Sequence, residues 1–176
     1  MSQKKLNCLN YGKEILIMEY EEIIPKKELK KNGNTDICIR FASKAFNTNE
    51  KNQITDISEK GIQEIIKNVY NGDYKSLYLS LDPDGETDGG RYFIMESDST
   101  WISLEIVDEI NKVCYSSFNT DYMDSEEESP IKCSDGQSVI LKKYTMHNRK
   151  LAAECVEWFI RTGRHYPGME WLKSCW

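Results

Sequence analysis

Apolar and polar positions alternate with a period of two over most of the middle of this chain and with a helical period in two places. Leu77, Leu79 and Leu81 share one face of 75–81, and Ile102, Leu104 and Ile106 share one face of 101–107. Side chains of a strand point alternately to its two faces, so these stretches predict half-buried strands. The β-rich run 91–96, the aromatic and β-branched run 112–118, and 137–145 with Val139-Ile140-Leu141 leading into Tyr144 add three more. Thr35 to Phe41 also alternates, with Ile37, Ile39 and Phe41 on one side. Residues 12–24, with Ile15, Leu16, Ile17, Met18, Ile23 and Ile24 before Pro25, read as a strand, a short helix being the alternative.

Helical spacing places Ile62, Ile65, Ile66 and Val69 on one stripe. Ser58 is positioned to cap that helix and Gly72 to end it. A second stripe, Leu151, Ala152, Cys155, Val156 and Phe159, predicts a helix over 148–162. Asn148 caps it, Arg161 meets the negative end of its dipole, and Gly163 closes it. Pro167 bars a restart, and Trp171 is expected as an anchor after the turn.

Short turn-like links join the strands: Asn32-Gly33-Asn34, Asp82-Pro83-Asp84-Gly85, Ser97-Asp98-Ser99, Asp108-Glu109 and Asp135-Gly136. Residues 44–56 read as a polar loop, and 119–129 as a longer acidic loop. Such links favour antiparallel neighbours over βαβ crossovers. The expected fold is α+β, a mostly antiparallel β-sheet meander with two principal helices packed on it, forming a single domain over 1–176.

Composition narrows the function classes. Mean hydropathy is −0.62, and no apolar run reaches the roughly 18–20 residues of a membrane-spanning helix. No apolar signal core follows the Met-Ser-Gln-Lys-Lys start, so a cytoplasmic location is expected. The six cysteines, at 8, 38, 114, 133, 155 and 175, have long irregular spacings and read as reduced, mostly buried thiols.

The net charge of −6 is uneven. Residues 82–136 hold fifteen acidic and three basic residues, and 139–176 hold three acidic and seven basic. An acidic middle opposes contact with a phosphate backbone and suits a basic protein partner. Neither a nucleic-acid nor a membrane partner is expected.

Candidate chemistry is sparse. Asp82, Asp84, Glu86 and Asp88 alternate like calcium ligands, but the run has Thr87 and Phe93 where an EF-hand loop needs glycine and glutamate. It reads as an acidic turn. His147 and His165 have no metal spacing, and both read as structural or exposed. No Gly-x-Ser-x-Gly elbow or phosphate-binding loop occurs. No catalytic residue, metal or cofactor is assigned. Among the four tryptophans, Trp101 and Trp171 are expected in the core and Trp176 exposed, and the side of Trp158 is left open.

The run Ser134-Asp135-Gly136-Gln137, the strand to Tyr144-Thr145, the helix from Leu151 to Phe159, then Thr162-Gly163-Arg164 and Pro167-Gly168-Met169-Glu170-Trp171 together resemble the Imm1 family of bacterial immunity proteins. The resemblance covers 75–173. Here His165 and Tyr166 separate Arg164 from Pro167, where the family turn is tighter. The resemblance implies a non-enzymatic inhibitor that binds the C-terminal domain of a polymorphic toxin, often one that modifies nucleic acid, such as a deaminase or nuclease. An acidic inhibitor is steered to the basic surface such a toxin presents to its substrate. From charge and loop position, the expected contacts are Asp82, Asp84, Glu86, Asp88, Asp121, Asp124, Glu126, Glu127 and Glu128, with Tyr122 as aromatic anchor. The alternatives are a regulatory protein-binding module with a non-toxin partner and a small hydrolase built from scattered carboxylates or a cysteine.

Overall fold

The computed structural model describes residues 9–11, 14–16, 20–28, 36–46, 51–85, 90–133 and 138–176. Its strands are β1 (Leu9–Tyr11), β2 (Glu14–Leu16), β3 (Tyr20–Ile24), β4 (Phe41–Ala45), β5 (Lys51–Gln53), β6 (Ser76–Ser80), β7 (Arg91–Asp98), β8 (Trp101–Asp108), β9 (Val113–Ser116), β10 (Glu128–Lys132), β11 (Val139–Leu141) and β12 (Trp171–Cys175). The helices are α1 (Glu59–Asn71) and α2 (Arg149–Thr162). Eight strands form one sheet in the order β3-β12-β9-β8-β7-β6-β4-β5, and every pairing is antiparallel. β6 to β9 are the expected meander. The α+β architecture is as the periodicity predicts.

Both helices form where their caps dictate. Asn148 accepts from Leu151 N at 3.0 Å, and Gly163 closes α2 at φ +63°. Ser58 and Gly72 bound α1 in the same way, Gly72 at φ +81°. The helices lie antiparallel on one face of the sheet. Arg161, near the end of α2, forms a two-pronged ion pair with Glu59 at the start of α1 (2.6 and 2.7 Å). Between helices and sheet lies the main core, with Ile62, Ile65 and Val69 from α1, Val156 and Phe159 from α2, and Leu77, Leu79, Phe93, Met95, Ile102, Leu104 and Ile106 from the strands. Phe93 and Phe159 pack with tilted rings, their centres 5.4 Å apart.

Several expectations change. The alternating run 35–41 is not a strand over its described part. The strand is β4, which begins at Phe41 and pairs with β6. Ile39 is fully buried and Ile37 packs on the core, whereas Phe41 faces away and meets Tyr78 edge-on. Ala42 takes the inward position of β4, an inner strand between β6 and β5, and is fully buried. The polar stretch 44–56 contains the end of β4 and the short edge strand β5.

Trp171 is a buried anchor, as expected, and it also opens β12, an inner strand between β3 and β9. The ending therefore lies one strand in from the β3 edge of the sheet. Val139–Leu141 is a strand but lies outside the main sheet. It pairs with β10, whose first residues belong to the expected acidic loop.

The β10–β11 hairpin lies over β7 and β8 on the face away from the helices. That face carries a smaller cluster of Tyr92, Val107 and Cys114, with Trp176 packed against it rather than exposed. The turn at Asn32-Gly33-Asn34, the Asp135-Gly136 turn, Cys8 and residues 17–19 lie outside the described residues. No helix among the described residues is long and apolar enough to cross a membrane.

Candidate binding surface

The acidic positions divide between the two ends of the sheet. Asp82 and Asp84 lie in the β6–β7 turn, beside the β8–β9 turn. The segment 119–128 follows β9 and lies by the start of β8. The two ends are separated by the length of β7, about 25 Å for eight residues. The Asp82–Asp84 turn and the 119–128 loop, both expected to supply contacts, therefore lie at opposite ends of the sheet. Glu86 and Asp88 lie outside the described residues.

The β6–β7 turn is built locally. Asp82 accepts from Asp84 N (3.0 Å), Gly85 N donates to the Asp82 carbonyl (3.2 Å), and Tyr78 Oη donates to the Gly85 carbonyl (3.1 Å). Gly85 adopts φ +68° against the Phe41 ring, so a side chain there would be strained and would collide with that ring. Asp82 is thus committed to the turn, while Asp84 is exposed.

The opposite end gathers the more distinctive chemistry. Asn119 accepts from Asp121 N at 3.1 Å and starts a single 3₁₀ turn over Thr120–Tyr122. Three backbone bonds then pin the loop: Ser125 N to the Tyr122 carbonyl (2.9 Å), Lys142 N to the Glu127 carbonyl (2.8 Å) and Asn119 N to the Lys143 carbonyl (2.9 Å). Tyr122 is held 5.9 Å from the Trp101 ring. His147 packs edge-on against the same indole with ring centres 4.3 Å apart, its Nδ1 2.9 Å from the Thr100 carbonyl. Trp101 is half-exposed at the rim, where the sequence led us to expect it in the core, although the alternation of Ile102, Leu104 and Ile106 already sets it on the opposite face of β8. β8 starts at this tryptophan, which pairs with Asp98 at the end of β7.

Two of the expected acidic contacts are already engaged. Glu127 accepts from Lys142 Nζ at 2.6 Å, and the same ammonium lies 5.7 Å above the Trp101 ring and 5.1 Å from the Tyr122 ring. The hydrogen bond lowers the Glu127 carboxyl below its usual range and raises the Lys142 ammonium above its own. Glu126 accepts from Lys143 Nζ at 2.9 Å, and the Lys143 side chain is only 4% exposed. Glu126 is thus the counter-ion of a buried lysine while its own side chain stays exposed. Asp121, Asp124 and Glu128 are exposed. Sequence reasoning found Tyr122 and missed Trp101, His147, Lys142 and Lys143. The cluster of basic residues immediately before α2 was the signal that could have predicted the neutralised carboxylates.

Thiols and histidines elsewhere carry structural roles. Cys114 Sγ donates to Glu105 at 3.0 Å on the face away from the helices. Burial and the neighbouring Glu105 push this thiol well up, so it is protonated at neutral pH and a poor nucleophile. Burial also raises the Glu105 carboxyl. His165 stacks on Tyr115 at 4.3 Å, and burial, followed by Lys27, Arg164 and Arg91, lowers its pKa. No group of three His, Cys, Asp or Glu side chains converges as a metal site among the described residues.

No family model, curated protein or solved structure matches this chain.

Proposed function

We propose that this chain is an immunity protein. It binds a cognate bacterial toxin domain, one that acts on nucleic acid, and neutralises it by occluding its active site, with no catalysis of its own. The encounter takes place in the cytoplasm. The carrying observation is the half-exposed Trp101–Tyr122 pair on a loop pinned by backbone hydrogen bonds and flanked by exposed Asp121 and Glu128. Aromatic anchors within a polar rim concentrate binding energy, and a loop already held in place loses little entropy on docking. The carboxylates favour a basic partner, such as the substrate surface of a nucleic-acid-modifying toxin. The likeness of the 134–171 segment to immunity proteins supplies the partner class.

The test is stoichiometric inhibition. The toxin domain encoded beside this protein is expected to co-purify with it and to lose activity at a one-to-one ratio. Trp101→Ala is expected to weaken that complex by about 2 kcal/mol or more. A toxin that retains full activity with excess protein refutes the reading.

A further inference from the structure

We infer that Trp101, Tyr122 and Glu127 form a receptor for an arginine of the protein partner, and that Lys142 fills this receptor in the free protein. The inference deepens the proposed function and relies on it only for the partner's identity.

The geometry is that of a cation site. One ammonium, Lys142 Nζ, lies within 6 Å of two ring centres and 2.6 Å from a carboxylate oxygen. Aromatic faces attract cations through their negative π-density, and the carboxylate opposite completes the charge match. His147, hydrogen-bonded to the Thr100 carbonyl and edge-on to the indole, holds the Trp101 ring in place.

The occupant is exchangeable because the site does not depend on it. The Lys142 side chain is half-buried at 23% exposure and that of Glu127 is 62% exposed, and an ion pair that water reaches on one side contributes only modestly. The walls are joined through backbone instead: Lys142 N to the Glu127 carbonyl, and Asn119 N to the Lys143 carbonyl. If the Lys142 side chain swings out, both bonds remain. The site then presents two rings and a free carboxylate already in position.

Arginine fits this site better than the resident lysine. A planar guanidinium stacks on an aromatic face and offers two parallel N–H groups to one carboxylate, whereas an ammonium presents a single point charge. A basic toxin surface supplies such side chains. Exchange leaves the ion pairing of Glu127 intact and releases Lys142 to water, so the acidic loop is never left with an unpaired charge at its centre.

The experiment uses the full chain labelled with ¹⁵N and the probe Nα-acetyl-arginine amide. The four indole N–H signals are followed, with Trp158, Trp171 and Trp176 as internal controls. In Lys142→Met, which keeps the aliphatic stem, the Trp101 signal is expected to saturate at about fivefold lower probe concentration than in the wild type. Adding Glu127→Gln to that variant is expected to abolish the gain. The inference is overturned if Trp101 responds no earlier in Lys142→Met than in the wild type. It is equally overturned if all four indoles move together, or if Nα-acetyl-glutamate amide gives the same response. The readout requires no toxin, so a failed toxin assay leaves it standing, and a silent Trp101 removes the receptor without deciding the toxin assay.

Discussion

Asp108 ties together three parts of the fold, and its removal has a calculable effect. Its carboxylate accepts from Arg91 Nε at 3.0 Å and from Arg91 Nη2. It also accepts from Asn111 N (3.0 Å) and Asn111 Nδ2 (2.8 Å), which shape the β8–β9 turn. Arg91 in turn donates to the Gly163 carbonyl at 3.0 Å, fastening the end of α2 to the sheet. Asp108→Ala removes one acceptor from all of these donors. Deleting one member of a fully buried pair costs about 3–5 kcal/mol. Here the Arg91 side chain is 29% exposed, so water replaces part of what is lost. The expected loss is about 2–3 kcal/mol, or about 5–10 °C in Tm for a chain of this length.

Urea unfolding followed by tryptophan fluorescence measures this loss, and repeating it at several pH values tests the cause. Burial by itself raises the Asp108 carboxyl. The Asn111 and Arg91 hydrogen bonds outweigh burial and hold it below the ordinary 3.8. A depressed folded-state pKa adds stability that is complete above the unfolded value and disappears as pH falls through the folded one. The gap between wild type and Asp108→Ala is therefore full at pH 7 and narrows below pH 3.8. A variant within about 0.5 kcal/mol of wild type at neutral pH refutes the reasoning. So does a gap that persists unchanged into strong acid.

Three further outcomes are expected. Reversing Asp121 and Glu128 to lysine should slow toxin association about tenfold at low salt and little at 1 M salt, whereas Asp82→Lys with Asp84→Lys, at the opposite end of the sheet, should leave the rate close to wild type; stopped-flow mixing distinguishes the two ends. Glu126→Ala should lower stability by about 1 kcal/mol by stripping the buried Lys143 of its carboxylate, while Glu128→Ala should be near neutral in the same denaturation assay. The Arg161 hydrogen bond, assisted by Gln63, holds the Glu59 carboxyl at about 2, so its contribution to the α1–α2 contact is complete above the ordinary 4.5 and is lost as pH falls through about 2; a carboxyl titration by NMR with a midpoint near that of the other glutamates would contradict the ion pair.

Both helices, their caps and the strands β6 to β8 were legible in the sequence because their causes are local. Asn148 and Gly163 act within one turn of α2, and the alternation of Leu77 with Leu79, or Ile102 with Leu104, needs only one face of a sheet to be buried. What lay beyond reach was each element's neighbours. Trp171–Cys175 has the same local pattern whether it is a terminal anchor or an inner strand. The partners β3 and β9, drawn from distant parts of the chain, decide the matter.

Charge behaved in the same way. The sequence displayed one acidic block over 82–136, but antiparallel pairing sends the 82–85 turn and the 119–128 loop to opposite ends of the strands. Tyr122 was visible as an aromatic in an acidic loop, yet only the packed molecule sets Trp101 beside it and places Lys142 over both rings. Periodicity and capping are short-range properties carried by each segment. A binding surface assembles residues far apart in the chain, and only the pairing of strands determines which of them meet.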